Sequence, residues 1–182
     1  MQIRWWLHAS VLGVLVGSAT TDPGTIDSTT PTSPSMPAAN ERLLALDPFV
    51  GRWVAEGELS GGRSYTAERR YEWTLDRRFL RIHQSMTIDS VIVEEDMVIG
   101  WDPAAEALRI WSFASDGSFA DGTERPAPGD NRWIFEGTTV GINGEWRTTI
   151  FLIDPATFSL LLEIRTDGEF VPAMTIAFRK EE

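Results

Sequence analysis

Residues 158–179 read FSLLLEIRTDGEFVPAMTIAFR. Phe158, Leu160, Leu162 and Ile164 alternate with Ser159, Leu161, Glu163 and Arg165, which is the period of a strand whose successive side chains point to opposite faces. After Asp167-Gly168 the period resumes and places Phe170, Pro172, Met174, Ile176 and Phe178 together on one face. Asp-Gly tolerates the positive φ angles of a tight hairpin turn. The stretch therefore reads as the last β-hairpin of the chain.

The same punctuation recurs upstream. Strands are expected near Arg52–Leu59, Ser64–Trp73, Arg78–Thr87, Val91–Trp101, Ala107–Ala114, Arg132–Thr139, Glu145–Ile153, Phe158–Arg165 and Glu169–Arg179, with Ser118–Thr123 as a tenth candidate. Gly61-Gly62, Asp102-Pro103, Asp116-Gly117, Asn143-Gly144 and Asp154-Pro155 supply the turns. One short helix is expected, capped by Asn40, carrying Leu43, Leu44 and Leu46, and stopped by Asp47-Pro48. A meander of this length has two edges to dispose of, and closure disposes of both. The expected fold is all-β: a single antiparallel up-and-down barrel of about nine to ten strands, preceded by one short helix. A two-sheet sandwich is the competing architecture. In Arg78–Thr87, Leu80, Ile82, Gln84 and Met86 oppose Phe79, Arg81, His83 and Ser85, so both faces carry large groups. That suits a barrel with a partly polar interior, and equally a strand covered on both sides.

Ahead of the strands the composition changes twice. Met1 to Arg4 carries one basic residue, Trp5 to Val16 is nearly all apolar, and Gly17, Ser18 and Ala19 are small. This is the layout of a secretory signal peptide, expected to be cut after Ser18 or Ala19. Leu15-Val16-Gly17 resembles the approach to a lipidated cysteine, but Ser18 follows, and a thioether cannot form on a hydroxyl. Residues 20–39 are rich in Ser, Thr and Pro, and nearly free of large apolar groups, so they read as a disordered tether. The expected organisation is a signal peptide over 1–19, a tether over 20–39 and a barrel over 40–182, exported to the periplasm or beyond. An uncut signal would instead leave an N-terminal anchor.

Charge and composition exclude several functions. The 182 residues carry 16 Lys+Arg against 27 Asp+Glu, a net charge of -11. Nucleic-acid binding needs a basic footprint, so it is excluded, and no membrane insertion is expected once the signal is cut. There is no cysteine, which removes disulfides, thiol catalysis and cysteine metal sites. No nucleophile elbow, zinc-protease motif or glycine-rich phosphate loop occurs. Asp116 and Asp167 are explained by turns, and in Glu94-Glu95-Asp96 only Glu94 and Asp96 can share a face, read as a solvated outer one.

Two groups of residues carry a resemblance. Gly51-Arg52-Trp53 opens the first strand and Arg179 closes the last. This resembles the lipocalin-like (calycin) signature, which implies that Trp53 packs at the closed end under Arg179. Trp73-Thr74-Leu75, Arg78-Phe79-Leu80, Ile99-Gly100-Trp101-Asp102-Pro103, Ile110-Trp111-Ser112-Phe113, Ser115-Asp116-Gly117 and Asn131-Arg132-Trp133 span most of the domain. Together they resemble an uncharacterised family of bacterial calycin-like barrels, similar to the β domain that follows SnoaL-like domains in secreted proteins. The resemblance implies the fold and an exported location, but no reaction. Nitrobindin-like barrels hold haem through a histidine near the C-terminal strands. Here Phe158–Arg165 and Glu169–Arg179 contain none, so no haem or other cofactor is expected.

The aromatic load is the remaining signal. Trp111 and Phe113 share one strand face, and Trp133 and Phe135 share another. Pointing inward, they would form an aromatic wall for a small, mostly apolar molecule, with Arg81 and His83 as polar contacts. One histidine and no cysteine serve zinc poorly, so no metal is expected. The leading expectation is a non-enzymatic binding barrel. A packed interaction module contacting another envelope protein is the alternative, and a cryptic hydrolase or isomerase at the barrel mouth is the third.

Overall fold

A computed structural model of the chain describes residues 41–181 apart from 60, 130 and 141–143. The expected signal peptide, the tether, the Asn40 cap and Asn143 of one turn lie outside the described residues. A short helix α1 (Glu41–Leu44) and a 3-10 turn (Asp47–Phe49) lead into ten strands. These are β1 (Gly51–Leu59), β2 (Arg63–Thr74), β3 (Phe79–Ile88), β4 (Val91–Asp102), β5 (Ala107–Ala114), β6 (Phe119–Arg125), β7 (Arg132–Val140), β8 (Gly144–Asp154), β9 (Thr157–Thr166) and β10 (Glu169–Lys180). Each strand pairs antiparallel with its neighbours in sequence and β1 pairs with β10, so the sheet closes into a barrel and not a sandwich. The tenth candidate strand is β6. The last hairpin turns on Asp167 and Gly168, at φ 53° and 87°, the two positive angles its sequence permits.

The helical segment plugs one end. Leu43, Leu46 and Phe49 are buried, and the Phe49 ring meets Trp133 and Phe158 edge-on at 5.2 and 5.3 Å. The Trp53 indole donates to the Phe49 carbonyl at 2.6 Å, so the N–H of a fully buried ring is satisfied. Asp47 ties the plug to the β2–β3 turn by accepting from Trp73 Nε1 at 2.8 Å and Arg77 Nη2 at 2.6 Å. In that turn Leu75, Asp76 and Arg77 all hold positive φ, a conformation that costs an L residue about 1 kcal/mol or more. The inner face of the plugged half is close-packed by Leu80, Ile82, Ile99, Leu108, Phe135, Phe158 and Phe178, each at most 1% exposed.

Two sequence expectations are corrected. Residues Phe170 to Phe178 do not share one face. A bulge between Pro172 and Met174 shifts the register, so Phe170 and Pro172 point outward with Arg165 and Glu163, whereas Met174, Ile176 and Phe178 point inward. Proline has no N–H for the ladder, which makes such an irregularity unsurprising there. The cation over Trp53 is Lys180, not Arg179. Trp53 pairs with Lys180 and Val54 with Arg179, so strand alternation turns Arg179 to the outer face. The Lys180 ammonium lies 5.2 Å from the Trp53 ring and donates to the Pro48 carbonyl at 3.1 Å. Gly51 serves the same contact: its φ is 125°, and a Cβ there would stand 3.1 Å from Lys180 Cε.

Candidate functional site: the unplugged half of the lumen

Alternation turns Arg69 of β2, Gln84 of β3, Glu95 of β4 and Ser112 of β5 toward the axis, with Arg69 opposite Gln84 and Gln84 opposite Glu95. They form a hydrogen-bonded relay. Arg69 Nε donates to Gln84 Oε1 at 2.5 Å, and Gln84 Nε2 donates to Glu95 Oε2 at 3.3 Å. Ser112 Oγ donates to the other Glu95 oxygen. Arg69 Nη1 reaches the Tyr71 hydroxyl at 3.2 Å, and the guanidinium lies 5.3 Å from the Phe178 ring. Arg69 and Gln84 are each 8% exposed.

This relay marks a change in the inner wall. On the plugged side lie the buried Trp53, Tyr71 and Phe178. On the other side packing loosens toward the rim: Tyr65, Ala67 and Met86 are still buried, but the outermost inward side chains are not. Val93 is 38% exposed, Ile164 38% and Val171 47%, and Leu59, Ile88, Thr139, Trp146, Leu162 and Met174 are half-buried. Inward-facing apolar side chains that keep solvent contact are what a lumen mouth offers a ligand.

Trp146 shapes one side of that mouth. Gly122, Gly137 and Trp146 are consecutive partners across β6, β7 and β8. A Cβ on Gly122 would stand 2.5 Å from Trp146 Cη2, so the indole lies directly over the bare glycine. Its Nε1 has no acceptor among the described residues.

The six residues singled out as ligand contacts do not share one surface. Trp133 and Phe135 point inward, but at 1% and 0% exposure they belong to the packed half. Trp111 and Phe113 point outward, because Leu108, Ile110 and Ser112 occupy the inner positions of β5; the two aromatic pairs lie in opposite phase. Arg81 and His83 also face outward, at 3.1 and 3.2 Å from one oxygen of Asp96. Burial pushes the Asp96 carboxyl up, but the bonds from His83 and Arg81 outweigh it and hold the group below its ordinary range. Glu94 and Asp96 do lie outside, as expected. Glu95 between them turns inward, and its position in Val93-Glu95-Met97-Ile99 was the signal for the relay.

Two depressions of about 370 and 560 Å³ lie along the wall, the first lined by Val54, Glu56, Thr66, Glu68 and Arg179, the second by Arg132, Ile134, Arg147, Thr149 and Leu161. Their charges are largely satisfied locally: Arg52 on Glu68 at 2.7 Å, and Arg147 on Glu163 at 2.6 and 2.8 Å. Among the described residues no three His, Cys, Asp or Glu converge as a metal site.

No protein-family model and no curated protein matches the chain. Among solved structures it is similar to that of Rv2717c from M. tuberculosis, with a TM-score of 0.58 and 14% identity over 79% of this chain and 99% of that one. This likeness shows the fold, a ten-stranded antiparallel barrel. Two further structures also align: a de novo designed fluorescence-activating β-barrel, at TM-score 0.41 and 15% identity over 75% of this chain and 97% of that one, and EF1p2_mFAP2b bound to DFHBI, at 0.40 and 11% over 77% and 99%.

Proposed function

We propose that this is an exported, calycin-like barrel that binds a small, mostly apolar molecule in the unplugged half of its lumen, without catalysing its conversion. One observation carries the reading: the inner wall is close-packed at the plugged end and keeps partly exposed apolar side chains, Val93, Leu162, Ile164, Val171 and Met174 among them, toward the opposite rim. The expected N-terminal signal supports export. Native mass spectrometry of protein recovered from an exporting host tests both. The expected result is an N-terminus near Ser18 or Ala19 and a mass excess that is lost on denaturation. Leu162→Arg, which puts a charge into the lumen, should abolish the excess, whereas Phe113→Ser on the outer wall should not. A bare mass, together with no uptake of an added apolar dye, refutes the binding reading.

A second reading, an interaction module, is favoured by the outer wall. Phe113 and Phe119 face each other across β5 and β6 at 55% and 46% exposure, and Val140 beside Phe119 is 47% exposed. Apolar groups gathered in this way mark contact surfaces. Phe113→Ser separates the two readings, since only a contact surface loses its partner by that change.

A further inference from the structure

We propose that the luminal ligand carries an anionic, hydrogen-bond-accepting head group held by Arg69, an inference that rests on the binding reading above and names its ligand class. A guanidinium has five N–H donors and no acceptor. Arg69 uses one on Gln84 and one on Tyr71, both neutral partners. Its remaining donors have no acceptor among the described residues, and it belongs to no ion pair there. A buried charge without a counter-charge is costly to keep. The Phe178 ring offsets part of this. The fold therefore retains an expensive cation on the inner wall where an apolar side chain would pack well.

The carboxylate on the same wall does not neutralise it. Glu95 meets Arg69 only through the Gln84 amide, and it already accepts from Gln84 and Ser112. The relay is thus left with donors in surplus at the Arg69 end. Further toward the mouth on the same inner face stand Met86, Val93, Leu162 and Met174, which suit an apolar body. An amphiphile with a carboxylate-like head on Arg69 and its body toward the mouth satisfies both. Glu95 then opposes the head group, which gives the proposal a second, opposite sign to test.

The test compares dansyl-labelled undecanoic acid with its methyl ester, titrated by fluorescence against the full chain, Arg69→Met and Glu95→Gln. The wild-type chain should bind the acid about tenfold more tightly or better, the scale of charge-assisted hydrogen bonds. Arg69→Met should erase that preference while leaving ester binding within about twofold. Glu95→Gln should widen it several-fold and leave the ester unchanged. Equal binding of acid and ester by the wild type, or a preference that survives Arg69→Met, overturns the head-group assignment. If neither probe binds, the luminal reading fails and this inference fails with it. Should Arg69→Met not fold, the wild-type ratio and the Glu95→Gln shift still decide.

Discussion

Replacing Gly122 by alanine probes the mouth through a single methyl group. That methyl would stand 2.5 and 2.8 Å from Trp146 Cη2 and Cζ2 and 3.0 Å from the Glu136 carbonyl oxygen. Carbon atoms rest at about 3.5–4.0 Å, so the indole has to recede by roughly 1 Å. Overpacking of this kind costs about 1–3 kcal/mol. Exchanging glycine for alanine in a strand returns about 0.5–1 kcal/mol. The net expectation is a loss of about 1–2 kcal/mol, or several degrees in Tm. Urea unfolding followed by far-UV circular dichroism measures it without depending on tryptophan emission. The same substitution made with Trp146→Leu should cost nearly nothing, a coupling of about 1–2 kcal/mol. Gly137→Ala is the contrast, because its methyl would meet the Asp121 carbonyl oxygen at 2.0 Å. That clash is with backbone, so the loss should be larger and Trp146→Leu should not relieve it. Wild-type stability for Gly122→Ala, or an equal loss in the Trp146→Leu background, refutes the placement of the indole.

Two further predictions concern the wall. The Arg147 guanidinium bonded to Glu163 holds its carboxyl below the usual carboxylate range. A depressed folded pKa gives stability that is present above the unfolded value of about 4.3 and lost as pH falls through the folded value. Glu163→Gln should therefore cost about 1–2 kcal/mol at neutral pH, and its stability curve should converge on wild type below about pH 4; parallel curves would count against the pair. The β1–β10 seam pairs only at Trp53↔Lys180 and Val54↔Arg179, with one further backbone bond from Glu181 N–H to the Arg52 carbonyl at 2.9 Å, whereas β3 pairs with β4 from Phe79 to Ile88. Beyond Ala55, the β1 amides that face β10 rather than β2 should exchange with solvent at least about tenfold faster than those of β3, and uniform protection around the barrel would refute a loose seam.

The fold was legible because its signals are local. Alternation and turn chemistry act within a few residues, and Asp167-Gly168 adopts the angles its sequence announces. The inward face was harder to read, because size is a poor guide in a barrel. On β5 the large Trp111 and Phe113 lie outside while the small Ser112 and Ala114 lie inside. The Arg179 expectation failed by one residue, which in a strand is the difference between the two faces. On β10 the proline was visible, but not the bulge beside it. The relay was the least legible feature. Glu95 on an otherwise apolar face could be read, but its link to Arg69 through Gln84 depends on the register of three strands, which no single segment encodes.

On the proposed reading, that register also divides stability and recognition along the axis. Trp53, Tyr71, Phe158 and Phe178 with the Phe49 plug supply a close-packed aromatic core that can hold the barrel closed without help from the mouth. The rim opposite the plug is packed less closely, and small residues such as Ala114, Ala120 and the Gly122–Gly137 pair line part of that inner wall. A barrel selected for stability alone would place leucine or methionine at position 69, since exchanging a buried charge for an apolar group of similar volume is often neutral or favourable. Keeping arginine there, with most of its donors unused by the protein, is what the proposed head-group site expects of a position that gives up stability for recognition. The outer His83–Asp96–Arg81 group differs in kind: it is exposed and its members are satisfied by one another and by Glu72.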